Sequence, residues 1–384
     1  GMKTLIGSMN MSDKQNSENI DLISKLKEEM VAKVASVTCN DHVQITNDSV
    51  SKPLAAAKSV SETLSSVIKD NGITEQRKTD STITFNAKTQ DSVSIDKLSV
   101  LSDIDAVKVV TNYASVTVDG KSEVKMKMDK VGANKVNISF DTDKTNTVQI
   151  SFPNIDGSSD YYAVVDEKGN PVGGKYNPAS GEIEAKISES GIYSVVCNEK
   201  DFDDIREEAA EMQKAIKVLA SKGIINGKSE RTFSPEDSIS RAEVAALIVR
   251  TLSKLNPNED GKFDDVNKNN WYFGTAGSSK KYGIITGFPD NTFRGDDVIK
   301  KDQIIAVAAR TLRKEMNYFT PSNVNDYLNY KDRDSIADWA KDDIAVGTMA
   351  NIVLKRVDGR FNSAENMTRG DAAVVLYRLF MKLW

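Results

Sequence analysis

The residue whose type and position most invite chemistry is Arg241, in the run Ser240-Arg241-Ala242-Glu243. An apolar helical stripe follows it: Val244, Ala245, Ile248, Leu252 and Leu255. Ser240 and Glu243 have capping-box spacing, in which the hydroxyl accepts from the third helical amide and the carboxylate accepts from the cap amide. Such a cap contributes about 1 kcal/mol. It accounts for the serine and the glutamate and leaves the arginine unexplained, because the helix macrodipole disfavours a cation in the first turn by about 0.3–1 kcal/mol. Two readings stay open. The arginine pairs with an acid of a neighbouring segment, for example Asp203, Asp264 or Asp332. Alternatively it completes an anion site, in which the free amides of the helix N-terminus act with a guanidinium fork matched to a carboxylate.

The frame around Arg241 occurs three times. Lys300-Lys301-Asp302-Gln303 and Thr368-Arg369-Gly370-Asp371 are the other copies. The anchors Gly223, Phe233 and Arg241 recur as Gly283, Phe293 and Lys301, and as Asn351, Phe361 and Arg369, with spacings of 10 and 8 residues in each copy. Arg250, Arg310 and Arg378 follow 9 residues later. Phe202-Asp203-Asp204, Phe263-Asp264-Asp265 and Tyr330-Lys331-Asp332 open the units. Each unit reads as helix, loop, helix, and an internal repeat of this regularity governs the fold assignment. In the first copy Met212, Ala215, Ile216 and Leu219 form the first stripe, stopped at Gly223; in the third, Ala372, Leu376, Leu379, Phe380 and Leu383 form the second. Asn351 stands where the other copies have glycine, and asparagine is the next-best residue in a left-handed helix stop.

The elements that must carry these units are read from the rest of the chain. With 384 residues, two or three domains are expected. A net charge of -5 argues against a nucleic-acid binder, which shows a basic face. The two cysteines, Cys39 and Cys197, exclude a disulfide scaffold, and a single long-range bridge between them stays open. His42 is the only histidine, so a multi-histidine metal site is not expected. No metal or cofactor is expected. No apolar run approaches the roughly 18 residues of a membrane span, and no signal-peptide core is visible near the start.

Residues 1–18 are polar and are expected to be disordered. Residues 19–80 read as a helical segment. Ile20, Ile23, Leu26, Met30 and Val34 form one face with Asn19 as cap, and a second helix follows Pro53 with Ala56, Val60, Leu64, Val67 and Ile68, ending at Asn71-Gly72. Residues 81–198 alternate with period two, at Ile83/Phe85, Val116/Val118, Val124/Met126/Met128, Val136/Ile138/Phe140 and Val148/Ile150/Phe152. Turn signals such as Asp119-Gly120, Asp156-Gly157 and Lys168-Gly169-Asn170-Pro171 separate the runs, which predicts an all-β sandwich-like domain.

Taken together, the FxD opener, the tryptophans Trp271 and Trp339, the Gly-Ile-Ile run at 283–285, the Phe anchors and the Ser/Thr-Arg frames resemble the S-layer homology (SLH) domain family. The resemblance covers residues 202–384, as repeats of about 202–258, 262–318 and 330–384. The β-rich stretch, through Val148-Gln149-Ile150-Ser151-Phe152-Pro153 and Lys175-Tyr176-Asn177-Pro178, also looks like the segment preceding SLH repeats in clostridial-type surface proteins. The resemblance implies an all-α pseudo-threefold spindle with a central three-helix bundle and grooves between its lobes. It implies that the grooves bind a pyruvylated secondary cell-wall polysaccharide attached to peptidoglycan, and that the protein is extracellular, at the cell wall or S-layer.

On that basis the expected ligand-binding residues are Arg241, Lys301, Arg369, Trp271, Trp339, Gly227, Gly287, Asp203, Asp264 and Asp332. Each has a plainer role open to it. The tryptophans serve a sugar platform or a core, and the glycines serve close ligand approach or a tight turn. Lys301 keeps charge and loses the bidentate geometry of arginine, Lys300 loses the cap, and Lys355 replaces the glycine in the third copy. Ala210 or Glu211 stands where the first copy should have its tryptophan. The leading function is non-enzymatic anchoring of a surface protein, with the N-terminal domains displayed and lattice or protein neighbours expected. The alternatives are a surface enzyme with a carboxylate-based hydrolase and an adhesin whose β domain binds a protein. For the enzyme, Asp103, Asp105 and Asp166 show no paired spacing, and no nucleophile-elbow, zinc-protease or phosphate-loop motif is present.

Overall fold

A computed structural model of the chain describes residues 2–10, 14, 17–40, 43–73, 79, 81–98, 105–120, 124–141, 148–153, 160–178 and 180–383. His42, Asp103 and the Asp156-Gly157 turn lie outside the described residues. The chain divides into two compact units. The first takes residues 1–158, 165–169 and 177–195; the second takes residues 159–164, 170–176 and 196–384.

In the first unit the helices are α1 (Met2–Gly7), α2 (Ser17–Val34) and α3 (Asn47–Asp70). The expected disorder of residues 1–18 does not extend to α1. Met2 and Ile6, four apart and so on one helix face, are buried with Ile20, Ile23, Leu64, Ile68 and Ile73. The α2 face also differs from expectation. Ile20, Ile23 and Val31 are buried with Lys27, whose ammonium donates to Ser65 Oγ at 2.6 Å, while Met30 and Val34 are exposed. Asn19 is inside α2 and does not cap it. Helix α3 starts before Pro53 because Thr46 and Ser49 form a capping box, and it stops at Asn71 with Gly72 at φ 74°.

The strands of the first unit are β1 (Ser36–Thr38), β2 (Val43–Ile45), β3 (Thr82–Asn86), β4 (Ser92–Ile95), β5 (Ala106–Val110), β6 (Ser115–Asp119), β7 (Lys125–Gly132), β8 (Lys135–Asp141), β9 (Val148–Pro153), β13 (Glu182–Ile187) and β14 (Gly191–Cys197), apart from the end residues Val196 and Cys197 of β14, which fall in the second. One sheet runs β1-β3-β5-β6-β9-β13 and the other β14-β8-β7-β4-β2. The helical segment and the strands are not separate bodies, as their compositions had suggested. The three-residue strands β1 and β2, between α2 and α3, pair in parallel with β3 and β4. Such short strands carry too little periodicity to be read from sequence. Alternation is clear elsewhere: Ile83 and Phe85, Val107 and Val109, and Met126 and Met128 point to buried faces. Asp105 and Asp166 are taken up locally, by Ser81 and by the Lys168 amide respectively.

The second unit contains β10 (Tyr162–Val165), β11 (Pro171–Gly173) and β12 (Lys175–Asn177), apart from their end residues Val165 and Asn177, with helices α4 (Ala210–Ser221), α5 (Arg241–Thr251), α6 (Phe273–Lys281), α7 (Lys301–Met316), α8 (Asp338–Met349) and α9 (Arg369–Lys382). Each repeat supplies two helices. The principal helix pairings run between repeats and close a circle: α5 on α6, α7 on α8, and α9 on α4. Gly223, Gly283 and Asn351 take φ 68°, 66° and 57°, so the asparagine does fill the left-handed stop. Cys39 and Cys197 are both free thiols.

Two buried lysines belong to this unit. Lys175 donates to the carbonyls of Met381 and Leu383 at the end of α9, where a cation complements the macrodipole. Lys222, after α4, donates to the Tyr162 carbonyl, and burial pushes its amine down to about 7 against weak opposition from Asp160 and Cys197. Unfolded, the amine returns to about 10.4. Between these values the unfolded chain holds one more proton, so stability rises with pH across the window. Tryptophan fluorescence reports this unit, since Trp271, Trp339 and Trp384 all lie in it. Its urea midpoint is expected to rise from about pH 7 to about pH 10, and Lys222→Met is expected to remove that part of the rise. An identical pH profile in the variant would refute the assignment.

Candidate functional site

Each junction between repeats is built by the same backbone pairing. The Arg241 amide donates to Asp297 O at 2.9 Å and the Ala242 amide to Gly295 O at 2.9 Å. The Lys301 and Asp302 amides donate to Glu365 O and Ser363 O, and the Arg369 and Gly370 amides to Asp237 O and Pro235 O. The acceptors stand two and four residues beyond Phe293, Phe361 and Phe233. The first repeat therefore binds the second, the second binds the third, and the third returns to the first. Bridges Ser240↔Val298, Lys300↔Asn366 and Ser238↔Thr368 repeat the circle. The first-turn amides that a helix leaves free are in part consumed here by the next repeat.

The caps follow the side-chain chemistry. Ser240 Oγ accepts from the Glu243 amide at 3.2 Å, and Glu243 Oε2 accepts from the Ser240 amide at 2.7 Å. Thr368 accepts from the Asp371 amide at 3.1 Å. Lys300 has no acceptor to offer, and only the return bond from its amide to Gln303 Oε1 remains, at 3.1 Å.

The three cations turn away from their helix ends onto the aromatic anchor of the next repeat. Arg241 Nε donates to Phe293 O at 2.9 Å, and its guanidinium lies 4.7 Å from the Phe288 ring centre and 5.7 Å from that of Phe293. Lys301 Nζ is 5.3 Å from the Phe361 ring centre and 3.7 Å from Glu365 Oε2. Arg369 lies 4.7 Å above Phe233, donates to Phe233 O and Asn226 O at 3.1 and 2.8 Å, and reaches Glu243 Oε1 at 3.7 Å. Cation–aromatic contact gains about 2 kcal/mol or more where it is desolvated, which offsets part of the burial cost. Burial pushes Arg241 down to about 10, with the charges of Arg310 and Arg294 adding to the effect; it remains protonated at neutral pH. Burial also lowers Lys301, against the attraction of Glu365.

None of the three cations pairs with Asp203, Asp264 or Asp332, the ion pairs that sequence left open. Asp203 pairs with Arg231 and Arg206, and Asp264 accepts from Asn291. Asp332 has another task. Its carboxylate accepts from the Phe361 and Asn362 amides at 2.7 and 2.8 Å, and burial, which raises it, is outweighed by these two amides together with its own amide and the Arg360 charge, which hold it below the usual range. Its counterparts in this role are Asp204, which clamps the Phe233 and Ser234 amides, and Asp265, which clamps those of Phe293 and Arg294. Asp203 and Asp264 stand one place earlier in their openers, level with Lys331. The clamp holds a residue after each phenylalanine in the left-handed region: Ser234 at φ 62°, Arg294 at 54° and Asn362 at 57°. The recurrence of an acid in third place of all three openers was the available signal.

Trp271 and Trp339 are 61% and 53% exposed, so neither is a core residue. Trp271 sits edge-on to Tyr272, which packs at a tilt against Phe293. Glu211 occupies the equivalent place in the first repeat, 12 residues before the helix stop, and grips Arg378 with both oxygens, at 2.7 and 2.8 Å. Gly227 and Gly287 are required by packing: a Cβ would fall 2.5 Å from Phe202 Cε1 at Gly227 and 2.4 Å from Phe263 Cε1 at Gly287. Arg310 and Arg378 brace neighbouring repeats through Asp343 and Glu211, whereas Arg250 is exposed. Phe288 and Arg294, which touch the Arg241 site, were not singled out by sequence, because the other repeats carry no matching residues at those places.

Comparison with known proteins finds the same three repeats. The S-layer homology domain family matches residues 201–245, 262–305 and 329–373. An amylopullulanase of Thermoanaerobacterium thermosulfurigenes is 30% identical over 222 residues, 58% of this chain and 12% of that protein. A surface-layer 125 kDa protein of Lysinibacillus sphaericus is 27% identical over 187 residues, 48% of this chain and 15% of that protein. A cellulosome-anchoring protein of Acetivibrio thermocellus is 30% identical over 141 residues, 35% of this chain and 30% of that protein. The chain thus matches less than a third of the length of each of these relatives. Three interlocked helical repeats and three matches to one family give the same result: the C-terminal part of this chain, residues 201–373, consists of three tandem S-layer homology domains.

Proposed function

We propose that the chain is a non-enzymatic anchor that holds a surface protein on the bacterial cell wall. The repeat junctions would bind an anionic wall polysaccharide, in the sharpest form one carrying pyruvyl ketals attached to peptidoglycan. The observation that carries this reading is the placement of a buried cation at each junction, beside an aromatic ring and at a helix N-terminus. A ketal carboxylate suits a guanidinium fork, and the sugar ring that bears it suits an aromatic face. In this reading Arg241, Lys301 and Arg369 meet the carboxylate, and exposed Trp271 and Trp339 meet sugar faces. Gly227, Gly287 and the acids Asp203, Asp264 and Asp332 shape the loops around them. The circle of helix pairings supports a pseudo-threefold spindle with α5, α7 and α9 as its central bundle. Weak sites on one body gain from effective concentration when the ligand is a polymer.

The two sheets of the first unit would pack as a sandwich and be displayed outward, at the cell surface or within an S-layer, facing lattice or protein neighbours. Among the described residues no helix is long and apolar enough to cross a membrane. The reading names no metal, cofactor or nucleic-acid partner. The names of two relatives, the surface-layer protein and the cellulosome-anchoring protein, fit it; that of the amylopullulanase fits an enzyme carrying such repeats as an anchor.

The chain of residues 1–384 is expected to co-sediment with purified wall sacculi. Arg241→Ala combined with Arg369→Ala should reduce bound protein at least about tenfold, the scale of one lost charge-assisted contact. Unchanged sedimentation of the folded double variant would remove the arginines from the account.

A further inference from the structure

The three junctions share a backbone frame and differ in how their cation is neutralised. At the third-to-first junction the Arg369 guanidinium donates to two carbonyls through Nε and Nη2, and its Nη1 stands 3.7 Å from the Glu243 carboxylate. At the second-to-third junction Lys301 faces Glu365, which also pairs with Arg356, and the Asp371 charge acts on it as well. At the first-to-second junction Arg241 is only 7% exposed and donates through Nε alone; its Nη atoms have no acceptor among the described residues. Asp297 and Asp265 act on it only from beyond ion-pair distance.

Sequence differences explain the contrast. The third helical position carries Glu243 and Asp371 in two repeats and the neutral Gln303 in the second. Five residues after each helix stop stand Lys228, Phe288 and Arg356. Lys228 and Arg356 pair with Asp237 and Glu365 of their own loops. Phe288 makes no such pair. Its ring instead lies under two guanidiniums, 4.7 Å from Arg241 and 4.1 Å from Arg294. Arg294 keeps Asp290 as its partner at 2.7 Å, so the free donors belong to Arg241.

We propose that the first-to-second junction is the primary anion site of this chain, with Arg241, set against the Phe288 ring, as the carboxylate ligand, while the other two junctions are closed by the chain's own carboxylates. The ligand is an acidic sugar with one carboxylate set close to the ring. The proposal rests on the wall-anchoring reading above and narrows it: of the three cations named there, Arg241 is the one left open to the carboxylate, while Glu243 and the Glu365/Asp371 pair oppose it at Arg369 and Lys301.

The test is calorimetric titration of the chain of residues 1–384 with a methyl hexoside bearing a 4,6-linked pyruvate ketal. One site per chain is expected. Arg241→Gln should weaken it by about ten- to a hundredfold, the range for losing a hydrogen bond to a charged group. Gln303→Glu, which keeps the bond from the Lys300 amide, should weaken it by about tenfold by placing an internal carboxylate where the other junctions have theirs. Arg369→Gln and Lys301→Gln should each lose less than Arg241→Gln. Glu243→Gln preserves its helix cap and should open a second site. Three equivalent sites, or wild-type affinity in a folded Gln303→Glu variant, would overturn the proposal. Binding to sacculi without binding to the ketal would also overturn it and leave wall anchoring standing. Binding to neither would overturn both.

Discussion

Removing residues 329–384 is expected to unfold the whole second unit and not to leave two working repeats. The third repeat is the closing member of a circle. Its Arg369 and Gly370 amides bind the loop after Phe233, and α9 covers α4 of the first repeat. Cutting it away exposes the apolar faces of α4 and α7 and strands the first-repeat loop. Leu376, Leu379, Phe380 and Leu383 are all buried, and each buried apolar side chain of this size contributes about 1.5–3 kcal/mol. Their sum alone is comparable with the total stability of a typical domain, about 5–15 kcal/mol. Circular dichroism and the emission of Trp271 should therefore show no cooperative melting transition for residues 196–328 within the truncated chain. A residual transition in that emission would mean that the repeats fold singly.

Phe293→Ala is expected to cost about 3–5 kcal/mol, the range for large aromatic truncations in a core. The ring is fully buried, packed at a tilt against Phe263 and Tyr272, and its residue also offers the carbonyl that fixes Arg241. Stability and ligand capture should fall together. Urea unfolding followed by tryptophan fluorescence reads the first, and ketal titration under folding conditions reads the second. A loss of stability with unchanged affinity would show that Arg241 holds its place without this anchor. A loss below about 1 kcal/mol would contradict the packing itself.

The sequence was most legible where repetition and helical periodicity agreed. The helix stops, the phenylalanine anchors and the Ser240/Glu243 cap are each set within a few residues of one another, and all appear where their spacing placed them. The long strands were legible for the same reason, since alternation over five or more residues has one physical meaning. Elements defined by distant partners were not. Strands β1 and β2 exist through parallel pairing with chain some 50 residues away. The leader helix α1 exists through burial of Met2 and Ile6 against α2 and α3.

At the site, sequence singled out Arg241 from its conflict with the helix dipole, and the structure shows where that charge goes. It did not show which acid does what. In the openers Asp203 and Asp264 look as prominent as Asp204 and Asp265, yet only the second acid of each pair meets the two amides after the phenylalanine. Nor could it rank the junctions, because Gln303 reads as an ordinary departure from a repeat until the acids at its matching places, Glu243 and Asp371, are seen acting on Arg369 and Lys301, and Phe288 until its ring is seen beneath Arg241.

The most direct test of anchoring through the junction cations is sedimentation of the chain of residues 1–384 with wall sacculi before and after removal of their pyruvyl ketals, the peptidoglycan being left intact. Protein should pellet with untreated sacculi and stay in solution with the stripped ones. Equal sedimentation with both would contradict it, because the cations buried at the repeat junctions would then have no part in holding the protein to the wall.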